Sequence, residues 1–111
     1  MKLLIKLFIE SKNIGKAINA LSEGGISGFY IKEYAGLSPY DWQGFLLSEE
    51  PELAINFVKQ LSQNTLLINA VVNMDIVPSI KEKIHERLED EKYTMIMMPV
   101  LGMTINNPEM D

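Results

Sequence analysis

The segment Gly36-Leu37-Ser38-Pro39-Tyr40-Asp41-Trp42-Gln43-Gly44-Phe45 gathers the only tryptophan, a tyrosine, a carboxylate and an amide in a stretch with neither helical nor strand periodicity. Such a set can stack on a flat ligand and hydrogen-bond its edge, and loops on rigid scaffolds often carry binding residues. The plainer reading is that Trp42 and Phe45 anchor the loop to a sheet edge or a neighbouring copy. A second cluster, Glu89-Asp90-Glu91 before Lys92, has the charge to attract a hard cation. Three consecutive side chains at a helix end do not converge, however, so a solvated terminus is expected. His85, the single histidine, lies between Ile84 and Glu86 on a charged helix and reads as a surface residue rather than a general base or ligand. Met95, Met97 and Met98 are expected to fill core and interface; a copper thioether site would recruit further soft ligands.

Other chemistries are absent from the composition. Without cysteine there is no thiolate nucleophile, disulfide, iron–sulfur cluster or thiolate zinc site. Neither a Walker pattern nor G-x-G-x-x-G occurs, and Gly24-Gly25 with Gly28 reads as a helix stop and strand start. A net charge of −5 repels phosphate backbones and anionic lipid. Lys2, Lys6, Lys12, Lys16 and Lys32 give the first third a basic bias, but without the aromatic interleaving of a single-strand platform. No nucleic-acid partner is expected. Lys6 interrupts the apolar start, no small-residue cleavage site follows it, and no apolar run approaches the roughly 20 residues of a membrane span. The expectation is a cytoplasmic protein of one domain, residues 1–111, without membrane insertion.

The elements that must position these residues follow from periodicity. A strand over Lys2 to Glu10 runs into Ser11-Lys12-Asn13, whose side chains can cap a helix, and Ile14, Ala17, Ile18 and Leu21 then recur at helical spacing until Gly24-Gly25. Ile26 to Ala35 is rich in β-branched and aromatic residues and predicts a second strand. Leu53, Ala54, Phe57, Val58 and Leu61 form a helical stripe after Ser48-Glu49-Glu50-Pro51, positioned either to cap the sheet edge or to pack on a neighbouring subunit. Thr65 to Val72 predicts a third strand, and Asp75 with Pro78 opens a helix whose buried stripe is Ile76, Ile80, Ile84 and Leu88. Tyr93 to Leu101 is the last strand, and Asn106 to Asp111 reads as a short tail. The fold class is α+β: a ferredoxin-like βαββαβ antiparallel sheet with both helices on one face and an extra helix inserted between strands 2 and 3.

The strands look apolar on both faces. Leu3, Ile5, Leu7 and Ile9 alternate with Leu4 and Phe8, and Tyr93, Met95 and Met97 alternate with Thr94, Ile96, Met98 and Val100. Two helices cover one face only, so self-association is expected to cover the other.

Several segments carry a family resemblance. Met1-Lys2-Leu3-Leu4-Ile5 opening a strand, Ile18-Asn19-Ala20-Leu21-Ser22-Glu23-Gly24-Gly25-Ile26-Ser27-Gly28, Ile31-Lys32-Glu33-Tyr34-Ala35-Gly36, Val71-Val72-Asn73-Met74-Asp75 and Met97-Met98-Pro99-Val100 resemble the nitrogen regulatory PII (GlnB-like) proteins, in particular their uncharacterised archaeal homologues. The resemblance covers most of the chain. It implies a regulatory, signal-transducing homotrimer with inward-facing sheets, and an effector such as ATP, ADP or 2-oxoglutarate bound in clefts between subunits. It also implies a signalling loop, here the 36–64 segment, that docks on protein partners. Carried over residue by residue, it places Gly36, Ser38 and Lys92 at the cleft and Tyr40, Asp41, Trp42, Gln43 and Phe45 on the partner-binding loop. Ser38 stands where a second glycine is expected, Glu89-Asp90-Glu91-Lys92 replaces the glycine-rich phosphate loop, and no arginine follows Pro99, so the effector is left unassigned. The reading is a regulator rather than an enzyme, with no metal. The alternatives are a CutA-like protein linked to divalent-metal tolerance, or a small monooxygenase or isomerase on the same fold.

Overall fold

A computed structural model of the chain describes residues 1–34, 48–61 and 64–110. Four strands, β1 (Lys2–Glu10), β2 (Tyr30–Glu33), β3 (Thr65–Asn73) and β4 (Tyr93–Val100), and three helices, α1 (Ile14–Gly24), α2 (Pro51–Leu61) and α3 (Val77–Leu88), follow one another in the order β1, α1, β2, α2, β3, α3, β4. The sheet is antiparallel in the order β2-β3-β1-β4. This is the ferredoxin-like plan, with α2 inserted between the second and third strands.

Register assigns each face. Ile5 lies opposite Ala70 and Met97, and Leu7 opposite Ile68 and Met95. These side chains share the face covered by α1 and α3, where Ile5, Leu7, Ile9, Ala17, Ala20, Leu21, Ile68, Ile80, Ile84 and Leu88 form the buried core. The two helices meet closely at Gly24, where an added Cβ would stand 2.7 Å from Ile80 Cγ1. Gly25 then ends α1 with φ 107°, a left-handed conformation in which its amide donates to the Leu21 and Ser22 carbonyls. The paired glycines divide the work: Gly24 permits the contact between helices and Gly25 stops the helix.

Three local expectations are corrected. Strand β2 is only Tyr30–Glu33, paired to Leu66–Asn69; Ile26 to Phe29 are outside the ladder although β3 continues to Asn73, and Ala35 is outside the described residues. Ser11–Asn13 is a 3₁₀ turn with no capping side chain, and Asn13 is buried instead. Asp75 likewise lies in a 3₁₀ turn, Met74–Ile76, and does not cap α3, whose first turn does contain Pro78. The α2 stripe exists as a helix but buries none of its side chains; Leu53, Ile55 and Leu61 are exposed.

The second face of the sheet is not covered by α1 or α3. On this face the pairs Leu4–Val71 and Phe8–Leu67 flank Lys6–Asn69 at the centre, and Ile96 and Met98 on the β4 edge are 45% and 44% exposed. Phe8 meets Tyr34 edge to face with ring centroids 5.0 Å apart.

Candidate functional site

One end of the sheet collects the proposed site. There β1 ends, β2 leaves toward Gly36, β3 begins and β4 begins just after Lys92. The pairs Glu33–Leu66, Leu66–Ile9 and Ile9–Tyr93 set the four strand ends in one row. The Ser11 amide donates to the Asn64 carbonyl at 2.6 Å, and the Thr65 hydroxyl donates to the Tyr34 carbonyl at 3.0 Å, fixing the mouth of the 36–64 segment. Asn64 makes this turn with φ 61°, a left-handed conformation that asparagine tolerates better than most residues. A cleft of about 260 Å³ opens between these groups, lined by Ser11, Glu33, Tyr34, Asn64, Thr65 and Leu66. Its described lining offers hydroxyls, an amide and one carboxylate, with no basic side chain. Ser11, Asn64 and Thr65 were not singled out from sequence, where only the Asn64-Thr65 boundary between a helical stripe and a strand pointed to them.

The predicted site residues are divided by the fold. Gly36, Ser38, Tyr40, Asp41, Trp42, Gln43 and Phe45 lie outside the described residues. Lys92 is exposed at the start of β4, on the edge of the sheet opposite β2. Three strand spacings, roughly 14 Å, separate it from the β2 exit within one chain.

The acidic run before Lys92 does not behave as one solvated terminus. Glu91 folds back onto the start of α1: the buried Asn13 donates its side-chain amide to Glu91 Oε2 at 3.1 Å, and Lys12 and Lys16 approach its carboxylate at 3.9 and 3.5 Å. The Asn13 hydrogen bond, aided by the two ammonium groups, holds the Glu91 carboxyl below the usual range despite partial desolvation. Glu89 instead approaches His85 at 3.8 Å, one turn back on exposed helix. The turn is therefore tied through one carboxylate, which engages two of the five lysines of the basic N-terminal third, while Lys2 donates to Asn73 Oδ1 at 3.2 Å. Arg87 pairs with Glu23, joining the ends of α3 and α1 and lowering the Glu23 pKa.

An antiparallel β2-β3-β1-β4 sheet with both crossover helices on one face, and with a long insertion between its second and third strands, is the architecture of PII-like signalling proteins. The chain belongs to the family described as "Uncharacterized protein, homolog of nitrogen regulatory protein PII", which it matches over residues 1–107. It is 61% identical over 109 residues to an uncharacterised protein of Methanococcus maripaludis, covering 98% of this chain and 100% of that one. An uncharacterised protein of Methanocaldococcus jannaschii is 54% identical over 108 residues, covering 97% and 100%. Among solved structures it is similar to CPII, a nitrogen regulatory PII-like protein of Thiomonas intermedia bound to ADP, AMP and bicarbonate, with TM-score 0.65, 15% identity and 94% and 96% of the two chains covered. A DUF3240 family protein of Shewanella baltica aligns with TM-score 0.68 at 11% identity over 96% and 97%. At these identities the structural likeness defines the fold. Among the described residues no helix is long and apolar enough to cross a membrane.

Proposed function

We propose that the protein is a non-enzymatic, single-domain cytoplasmic regulator that assembles as a homotrimer and senses a small molecule at clefts between subunits. It signals through the 36–64 segment to a protein partner. The observation that carries this reading is the uncovered second sheet face. Exposed Ile96 and Met98 continue a surface made by Leu4, Phe8, Leu67 and Val71 around the central Lys6–Asn69 pair, and apolar area of this kind on a small chain is stabilised when other copies cover it. Lys92 and the β2 exit stand on opposite edges of the sheet, so a cleft completed by a neighbouring copy suits a ligand that needs both. Gly36 and Ser38 would supply backbone donors and Lys92 a cation, while the Tyr40 to Phe45 loop changes conformation with occupancy. CPII was solved with ADP, AMP and bicarbonate, which makes an adenine nucleotide the first effector to try. The exposed Glu89 and Asp90 oppose added phosphate charge, whereas Glu91 is already neutralised by its lysines.

Native mass spectrometry of the gently purified protein, with and without ADP, tests the reading. A trimer that retains or takes up one nucleotide per cleft is the expected result. A stable monomer at micromolar concentration would refute the assembly.

A further inference from the structure

Beyond β4 the chain carries a second apolar row. Leu101, Met103 and Ile105 alternate with Gly102 and Thr104 in strand-like period. Leu101 is fully exposed and Ile105 72% exposed, and the backbone of 101–105 makes no hydrogen bond to the backbone of another described residue. An added Cβ at Gly102 would meet nothing within 4 Å. This segment has the pattern of an edge strand; Met103 is 45% exposed, and no strand ladder among the described residues takes the segment up.

The sheet has two edges that could receive it. At the β4 edge Pro99 removes a backbone donor, and the core-side residues Tyr93, Met95 and Met97 are already packed on the core. At the β2 edge the outer side is unpaired among the described strands, and the core-side row is incompletely covered: Ile31 is 46% exposed and Phe29, just before the strand, 40%. Phe29 and Ile31 repeat the two-residue spacing of Leu101, Met103 and Ile105, which is the match that same-face pairs across two strands require. Five extended residues span roughly 17 Å and the four of β2 roughly 13 Å, so one segment can serve the whole edge.

We propose that residues 101–105 of one copy add as a fifth strand to the β2 edge of another copy, laying Leu101, Met103 and Ile105 beside Phe29 and Ile31. The proposal rests on the reading of the protein as a homo-oligomer. It makes the tail the tie between subunits at the strand that leads into the 36–64 segment, so assembly and the signalling loop share one edge.

The lack of cysteine makes disulfide trapping clean. One tagged chain carries Lys32→Cys and a differently tagged chain carries Gly102→Cys or Thr104→Cys, all positions on the face opposite the apolar row; the two are co-expressed and mildly oxidised. Because each chain has a single cysteine, a disulfide between the two tags joins two copies. The expected result is a mixed covalent dimer from at least one pairing, and a chain ending at Val100 whose assembly dissociates at roughly tenfold or higher concentration than the full chain's while its circular dichroism is unchanged. Ile105→Asp in the full chain repeats the loss should the shortened chain fold poorly. A full chain that stays assembled by native mass spectrometry but gives no mixed dimer, or whose assembly is unaffected by Ile105→Asp, overturns the tail exchange alone. A full chain that is monomeric overturns the assembly itself.

Discussion

Replacing Gly24 by alanine tests the packing of the helical layer. The new Cβ would lie 2.7 Å from Ile80 Cγ1 and 3.0 Å from Ile80 Cα. A side-chain atom can swing aside, but the Cα belongs to the α3 backbone and Ile80 is wholly buried, so the relief must come from moving one helix. Bringing the Ile80 Cα from 3.0 Å to an ordinary carbon contact of about 3.5 Å takes a displacement of roughly 0.5 Å at that point. Overpacking of this kind costs about 1–3 kcal/mol, and the better helix propensity of alanine offsets up to about 1 kcal/mol. The expected outcome is a net loss of about 1–2 kcal/mol. Gly15→Ala is the matched control: it lies in the same helix with nothing within 4 Å of its added Cβ, so it should gain about 0.5–1 kcal/mol. Urea unfolding at one fixed protein concentration reads both variants; with a slope near 2 kcal/mol per molar, Gly24→Ala should lower the midpoint by about 0.5–1 M. If both variants move the midpoint in the same direction, or Gly24→Ala is neutral, the close helix contact is not what selects glycine there.

Two further outcomes follow from the tie at Glu91 and from the open sheet face. Because folding lowers the Glu91 pKa from its ordinary 4.5, its contribution to stability is complete above that value and is lost as pH falls through the folded value. Glu91→Gln should therefore unfold more readily than the parent at pH 7, with the difference shrinking as pH falls below the ordinary carboxylate range, read by thermal melts across pH. Met98→Asp places a carboxylate on the uncovered face beside Leu4, away from Lys6, and should weaken assembly in native mass spectrometry while leaving far-ultraviolet circular dichroism unchanged; an intact oligomer would remove that face from the interface.

Much of the architecture was legible because burial leaves a period. Ile80, Ile84 and Leu88 were placed by helical spacing alone and are wholly buried, and β1 runs over the residues that alternation marks. The failures came where the decisive neighbour is remote in sequence. Ile26 to Phe29 have the composition of a strand, but the β2–β3 ladder starts only at Tyr30–Asn69 although β3 runs on to Asn73, and local propensity does not encode where a ladder starts. Glu91 looked like one of three equivalent acids until the fold brought Asn13, Lys12 and Lys16 to it across 78 positions of the chain. Asn13 was read as a cap because asparagine commonly is one; burial beside a carboxylate gave its amide a different partner. For the site, the family resemblance supplied Gly36, Ser38 and Lys92, whereas the cleft at Ser11, Asn64 and Thr65 had no signature, since it is made of turn backbone and small polar groups.

The position of β1 in the sheet also bears on how the molecule is made. β1 precedes in the chain both strands it pairs with, β3 and β4, so both its hydrogen-bonding edges wait for sequence that is translated much later. At 5–20 residues per second, the interval between Lys2 and Val100 leaving the peptidyl-transferase centre is roughly 5–20 s. Until Asn73 is made the nascent chain holds β1 unpaired on both edges, and until Val100 is made the edge that takes β4 stays open. Folding is thus a late event that closes the sheet with its last strand, and Lys2, Lys6 and Glu10 keep charge on a strand that would otherwise offer aggregating partners an uninterrupted apolar edge.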